Sequence, residues 1–404
     1  MTAPPETSPA NNRVLSGMRP TGRLHLGHYH GVLKNWARLQ RDYECYFFIA
    51  DWHALTTHYE QPETMREHVW EMVIDWLAAG VDPARATMFI QSHVPEHAEL
   101  HLLLSMVTPL GWLERVPSFK EQQQRLRGRD LATYGFLGYP LLQSADILMY
   151  RAAHVPVGED QAPHVELTRE IARRFNEFFG RGGDAEAAIK RMGKRDEKTY
   201  RRLKKSYAES GERDARTRAR ELISAHNNLN AEDKERLLGD LEGRGRAILP
   251  EPRALLTEAA KMPGLDGRKM SKSYENTIAL RDQPERVTRA IRAMPTDPAR
   301  VRLSDPGDPE KCPVWQLHLV YSDEGVREWA SKGCRAAAFG CLECKQPLLD
   351  AVLAEQKEFH RRAAHFENNP REVRGMIESG TDKARQTARE TMKLVREAVG
   401  AVYE

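Results

Sequence analysis

Two short, continuously apolar runs with a helical pattern between them constrain this fold most. Residues 43–50, YECYFFIA, and 86–91, ATMFIQ, are strand-length and lack the alternation of a half-solvated strand. Between them Val69, Met72, Val73, Trp76 and Leu77 recur on one helical face, and Gly80 offers a stop. A strand that is apolar on both faces has to be covered on both. Strands of this kind in alternation with helices predict an α/β fold, a parallel sheet wrapped by helices. The 404 residues leave room for a second domain.

The pattern divides the chain further. Residues 1–12, MTAPPETSPANN, have no basic start and no apolar centre, which predicts a short disordered tail and no secretory signal. Residues 13–180 hold the first part of the catalytic domain. Residues 181–247 form a charged helical insertion. Within 181–246 there are 18 Lys and Arg against 13 Asp and Glu, although the whole chain is only +3. That excess fits either a solvated helical hairpin or a nucleic-acid contact. Asn230, three residues before Asp233, reads as a helix cap. Residues 248–295 return to the catalytic domain, with a strand-like 277–280 and a helix to about 293. Residues 296–404 read as an all-helical domain, with Thr381 as a cap for the last helix and Gly400 as its end. No apolar run approaches the roughly 18 residues of a membrane span, so no membrane association and a cytoplasmic location are expected.

Two motifs carry the chemistry. His25-Leu26-Gly27-His28 follows Ser16-Gly17-Met18-Arg19-Pro20-Thr21-Gly22, a strand-to-loop turn. His25 and His28 at a helix start can face one ligand and donate to phosphate oxygens, beside the N–H groups of the helix. Gly27 lets a nucleotide lie against the backbone. Lys269-Met270-Ser271-Lys272-Ser273 is the more specific signal, a loop whose two lysines can follow the charge of a departing pyrophosphate. Asp146 lies on an otherwise apolar stretch, where a lone carboxylate is costly without a partner. Gly158-Glu159-Asp160-Gln161 follows the probable strand 154–157, and a loop after a strand lies at the ligand edge of an α/β sheet. A carboxylate there suits ribose hydroxyls. Four of the five cysteines cluster at Cys312, Cys334, Cys341 and Cys344. Four thiolates suit zinc or an iron–sulfur cluster, and the spacing does not decide between them. Cys45 reads as core.

These segments, SGMRPTGRLHLGHYHG, SFKEQ, GYPLLQSADILMY, VPVGEDQAPHVELTREIARRFN and GRKMSKS, resemble class I aminoacyl-tRNA synthetases, and among them the tryptophanyl-tRNA synthetase family. The resemblance covers nearly all of 13–404 apart from the insertion. It implies a Rossmann-like α/β catalytic domain, activation of L-tryptophan with ATP and Mg²⁺, transfer to tRNA(Trp), a helical anticodon-binding domain at 296–404 and a homodimer. It implies that Lys269, Lys272 and Lys120 approach the phosphates. ATP would also meet Arg19, Thr21, His25, Gly27, His28, Gly158, Glu159, Asp160, Met270, Ser271 and Ser273. Asp146 would take the indole, and Tyr139 and Gln161 the α-amino end. Arg19 stands where relatives often have Gln, as a stronger anion clamp. His28 stands where tryptophanyl enzymes often have Asn. A subset with a similar cysteine pattern holds a [4Fe-4S] cluster, which favours iron–sulfur over zinc. Tyrosyl-tRNA synthetases share both ATP motifs but not SADILMY with VPVGEDQ. A synthetase-like RNA-binding or regulatory protein would have no need of both intact motifs.

Overall fold

The computed structural model describes residues 12–59, 63–116, 133–180, 183–210, 213–241, 247–256 and 262–403. Its sheet has five parallel strands, β1 (Arg13–Met18), β2 (Glu44–Ile49), β3 (Ala86–Ile90), β4 (His154–Val157) and β5 (Arg253–Leu256), in the order β3-β2-β1-β4-β5. The apolar runs at 43–50 and 86–91 thus become neighbouring inner and edge strands. Alternate residues of each strand feed opposite cores. Val14, Cys45, Phe47, Ile49 and Met88 join one, with Trp36 and Trp76. Leu15, Tyr46, Phe48 and Phe89 join the other, with Leu148, Ile171 and Phe175. The order of strands reverses between β1 and β4, so a crevice opens at their carboxyl ends, where ligands bind in sheets of this kind. The loops after β1 and β4 carry the first motif and Gly158-Glu159-Asp160-Gln161, and the second motif follows β5 in the chain.

The last two long helices, Cys341–Asn368 and Pro370–Val399, are built into these same cores. Gly380 permits the second to lie directly on β3, because a Cβ there would fall 2.0 Å from the Met88 carbonyl oxygen. The helix Cys341–Asn368 grips the motif region. Glu355 accepts from Lys34 and bonds to His30 and Tyr321, and Gln356 donates to the Ala279 carbonyl.

Two local expectations are corrected. Thr381 is buried in the middle of the final helix and does not cap it. Its neighbours at Gly380 pack on β3, so the helix passes through without a break. Residues 277–280 add no strand to the sheet; Ala279 forms a single antiparallel bridge to His25. Asn230 does cap, accepting from the Asp233 N–H at 2.7 Å. Gly400 ends the final helix at φ 74°.

The insertion is helical, with helices Gly183–Arg191, Gly193–Ser210, Arg213–Ala225 and Ala231–Leu241. They close on a core of their own, which includes Ile189, Met192, Tyr200, Ile223 and Leu237. No helix among the described residues is long and apolar enough to cross a membrane.

Candidate active site

The loop after β1 turns at Gly22, whose φ of 107° a side chain would strain. Lys272 lies over this turn and donates to the carbonyls of Gly22 at 2.7 Å and Thr21 at 3.2 Å. The chain after the second motif then pairs with the start of the first. Leu26 N–H donates to the Ile278 carbonyl, and Leu280 N–H to the Leu24 carbonyl. Two motifs about 240 residues apart in sequence are therefore assembled into one structure.

The histidines cap their own helix. His25 Nδ1 accepts from Gly27 N–H at 3.1 Å, and His28 Nδ1 accepts from His25 N–H at 3.2 Å. A ring nitrogen that accepts has no proton, so both protons sit on Nε2 and both Nε2–H groups remain to donate to a ligand. Burial, with Lys272 nearby, lowers His25 to about 4. Burial, His25 and Lys272 hold His28 well below its ordinary value. Both rings are neutral donors at neutral pH. Gly27 is required sterically, since a Cβ would lie 2.9 Å from the His25 ring. The helix continues as a π turn, Tyr29–Leu33, an irregularity found often at functional sites.

The second motif is a structured turn. Met270 is buried and anchors it, Lys269 is exposed, and Lys272–Tyr274 make a single 3₁₀ turn. Asn276 holds it from behind. Its Oδ1 accepts from Ser271 N–H at 2.8 Å, and its Nδ2 donates to Asp266 and to the Lys269 carbonyl. Burial lowers Lys272 to about 8 against the opposing pull of Asp75 and Glu71. Asp75 is itself buried and paired with Arg281 at 2.7 Å. Burial raises Asp75 to about 6, with Arg281 pulling the other way. Neither Asn276 nor Asp75 was identified by sequence reasoning. An Asn beside the motif was the only local signal for the first, and Asp75 sits within the apolar period of its helix.

Asp146 is fully buried on the helix Tyr134–Met149. Its Oδ1 accepts from His97 Nδ1 at 2.6 Å and Gln91 Nε2 at 2.8 Å, and its Oδ2 meets His53 Nε2 at 2.7 Å. His97 Nε2 in turn meets the Tyr150 hydroxyl at 2.7 Å. Burial alone would raise the carboxyl pKa, but the hydrogen bonds from His53 and His97, and then their charges, bring it below the ordinary value. Asp146 is therefore a carboxylate at neutral pH. Gln91 Oε1 is buried with no hydrogen-bond partner among the described residues, which leaves an unused acceptor beside it. These three partners come from separate segments, and His97 and Gln91 lie after β3. The sequence shows no spacing that links them to residue 146.

Tyr139 lies two turns before Asp146 on the same helix and 5.7 Å from the His164 ring, and Arg19, exposed, is within its electrostatic reach. Gly158 leads into the turn Glu159–Gln161, which opens the helix Ala162–Phe179, and Glu159 is exposed. The side chains of Asp160 and Ser273, and all of Lys120, lie outside the described residues.

The cysteines sit far along the chain from these motifs. Cys312 precedes the helix Pro313–Tyr321, Cys334 lies in the last turn of the helix Glu324–Arg335, and Cys341 and Cys344 open the helix Cys341–Asn368. All four are free thiols. They are within electrostatic reach of one another: burial, then Cys312, Cys334 and Cys341, push Cys344 up to about 12. Nevertheless, among the described residues no group of three or more His, Cys, Asp or Glu side chains is drawn close enough to hold a metal ion. The four thiols expected to hold a metal thus form no metal site among the described residues. Arg300 lies 3.9 Å from the Cys334 sulfur and His318 3.7 Å from that of Cys344.

Residues 7–209 and 217–355 match the family described as tRNA synthetases class I (W and Y). A tryptophan–tRNA ligase of Ralstonia nicotianae is 62% identical over 395 residues, covering 97% of this chain and 99% of that protein. One of Thermotoga maritima is 41% identical over 393 residues, covering 97% and 100%. Among solved structures, tryptophanyl-tRNA synthetase of Campylobacter jejuni, complexed with ADP and tryptophan, is similar with a TM-score of 0.71 at 28% identity, covering 96% of this chain and 99% of that one.

Proposed function

This chain belongs to the class I tRNA synthetases of the W and Y family and is a tryptophan–tRNA ligase; from that premise we propose how its residues divide the work. The carboxylate of L-tryptophan is ionised near pH 7, so no general base is needed. Its oxygen forms a bond to the α-phosphorus of ATP as the bond to the bridging oxygen breaks, and pyrophosphate leaves. Catalysis is then alignment and charge stabilisation. His25 and His28 donate from Nε2 to phosphate oxygens. Lys269 and Lys272 follow the charge of the leaving pyrophosphate, with Lys120. The turn Gly158-Glu159-Asp160 meets the ribose, with Arg19 and Thr21 on the opposite side of the crevice. Met270, Ser271 and Ser273 shape the loop around the triphosphate. Mg²⁺ accompanies ATP and neutralises phosphate charge. Tyr139 and Gln161 hold the α-amino end, and Asp146 accepts from the indole N–H. The adenylate is then attacked by the terminal ribose of tRNA(Trp).

The observation that carries the tryptophan reading is the buried, ionised Asp146. Indole has a single polar handle, an N–H donor, and an anionic acceptor in a dry pocket suits it. Tyrosine would bring a hydroxyl that can either donate or accept. ATP–pyrophosphate exchange measured with each amino acid in turn is expected to respond to tryptophan alone. Stronger exchange with tyrosine would overturn the assignment.

The four cysteines are proposed to hold a [4Fe-4S] cluster, through Cys312, Cys334, Cys341 and Cys344. What supports the reading is the donor set: four free thiols from three segments, within electrostatic reach of one another. A cluster would tie those segments together, and one of them, at Cys312 and Pro313, packs against Gly267 just before the second motif. Anaerobically purified protein is expected to contain about four iron and four sulfide per chain. Zinc without iron would contradict this. The enzyme is further proposed to act as a homodimer in the cytoplasm.

A further inference from the structure

The insertion contains a row of cations that nothing in the adenylation chemistry uses. On the helix Gly193–Ser210, Lys194, Lys198 and Arg202 are spaced four apart and share one face, all exposed. Arg195 stands beside them. The face opposite carries Tyr200, which is fully buried in the insertion's core. Several other cations of the insertion are matched by acids. Arg191 pairs with Asp233, Arg201 with Glu186 and Glu197, Lys204 with Asp240, and Arg218 with Asp214. Lys194, Lys198 and Arg202 have no ion-pair partner among the described residues. Like charges one turn apart repel and weaken the helix that bears them, so the row lowers the insertion's own stability. A polyanion lying along it would remove that repulsion.

We infer that this row contacts the phosphate backbone of tRNA(Trp) during charging. The inference rests on the ligase reading, which makes tRNA the one polyanion this enzyme must hold. The row extends over nine residues, about 12 Å of helix from Lys194 to Arg202, enough for several phosphates. Its place in the fold says which part of the tRNA it meets. The insertion leaves the catalytic domain at the end of the helix Ala162–Phe179, whose 18 residues begin at the ligand loop after β4. The junction where the insertion begins is therefore about 27 Å along that helix from the loop. Contact there is with the body of the tRNA and not with its reactive end. The row contributes binding common to ground and transition states, so it acts on KM and not on kcat.

The test uses the full-length enzyme and a tRNA(Trp) transcript. A triple variant, Lys194→Gln, Lys198→Gln and Arg202→Gln, is assayed for charging across a series of salt concentrations. Tryptophan-dependent pyrophosphate exchange, which needs no tRNA, serves as the control for folding and adenylation. The inference predicts unchanged exchange, unchanged kcat for charging, and a KM for tRNA raised about tenfold. The slope of log(kcat/KM) against log salt should become shallower by about one for each lost phosphate contact. The pair Lys194→Arg and Lys198→Arg should behave as wild type. Unchanged KM and slope in the triple variant would overturn the inference while leaving the ligase reading intact. Failure of the unaltered enzyme to charge tRNA(Trp) would overturn both.

Discussion

Asp146→Asn is expected to lower kcat/KM for tryptophan in pyrophosphate exchange by about two to three orders of magnitude, with the KM for ATP unmoved. The substitution keeps the shape of the side chain and removes its charge. In the native enzyme both oxygens are acceptors, one for His97 and Gln91 and one facing His53. An amide offers only one acceptor and turns an N–H₂ toward groups that themselves donate. Hydrogen bonds to a charged partner are worth roughly 1.5–3 kcal/mol, more than neutral ones, and here the partner is fully buried. Loss of fold would lower exchange with every substrate equally. The proposed role instead predicts that only the advantage of the indole N–H disappears. Titration supplies a second sign. The carboxyl is held below its ordinary pKa by donors that offset burial, so recognition should persist through mildly acidic pH. Replacing His97 by Phe removes one of those donors, raises the carboxyl pKa, and should make tryptophan use fall as pH drops.

Lys272→Ala is expected to slow pyrophosphate exchange by about 100- to 1,000-fold, the cost seen when one preorganised charge or donor is removed from a reacting centre. Tryptophan binding measured directly should persist. The lysine has a second duty in the free enzyme, where it bonds to the carbonyls of Thr21 and Gly22 and holds the turn before His25. Its pKa of about 8 separates the two. A lysine is cationic below its pKa and neutral above. Charge-dependent use of ATP is therefore complete below about pH 8 and declines as pH rises through it, approaching tenfold per unit. Lys272→Arg keeps the charge at all working pH values and should abolish that limb while recovering much of the exchange. A limb that survives in Lys272→Arg belongs to another group.

Much of this was legible in the sequence because the physics is local. Continuous apolar runs announced β2 and β3, and period-3.6 spacing announced the helix between them. The motif histidines were legible as a helix start, although the reciprocal use of both Nδ1 atoms depends on backbone positions no pattern displays. Asp146 stood out because a carboxylate within an apolar helix requires an explanation. Its three partners did not, because His53, Gln91 and His97 reach it through the packing of separate elements. The same holds for Asn276 behind the second motif and Asp75 beneath Lys272. The misplaced cap at Thr381 shows the reverse error. A threonine after a glycine looks like a helix start, yet that glycine serves to bring one unbroken helix against β3. The separate core of the insertion was likewise invisible to a reading based on charge.

The central claim is that a buried anion, Asp146, selects tryptophan through its indole N–H at a site where the two motifs assemble ATP. The most direct test compares pyrophosphate exchange with tryptophan and with its analogue in which sulfur replaces the indole N–H. The ring shape is nearly kept and the donor is lost. For the unaltered enzyme, kcat/KM should favour tryptophan by at least about 1,000-fold, and Asp146→Asn should reduce that ratio to near unity. Comparable use of both substrates by the unaltered enzyme, or a ratio that survives Asp146→Asn, would contradict the account.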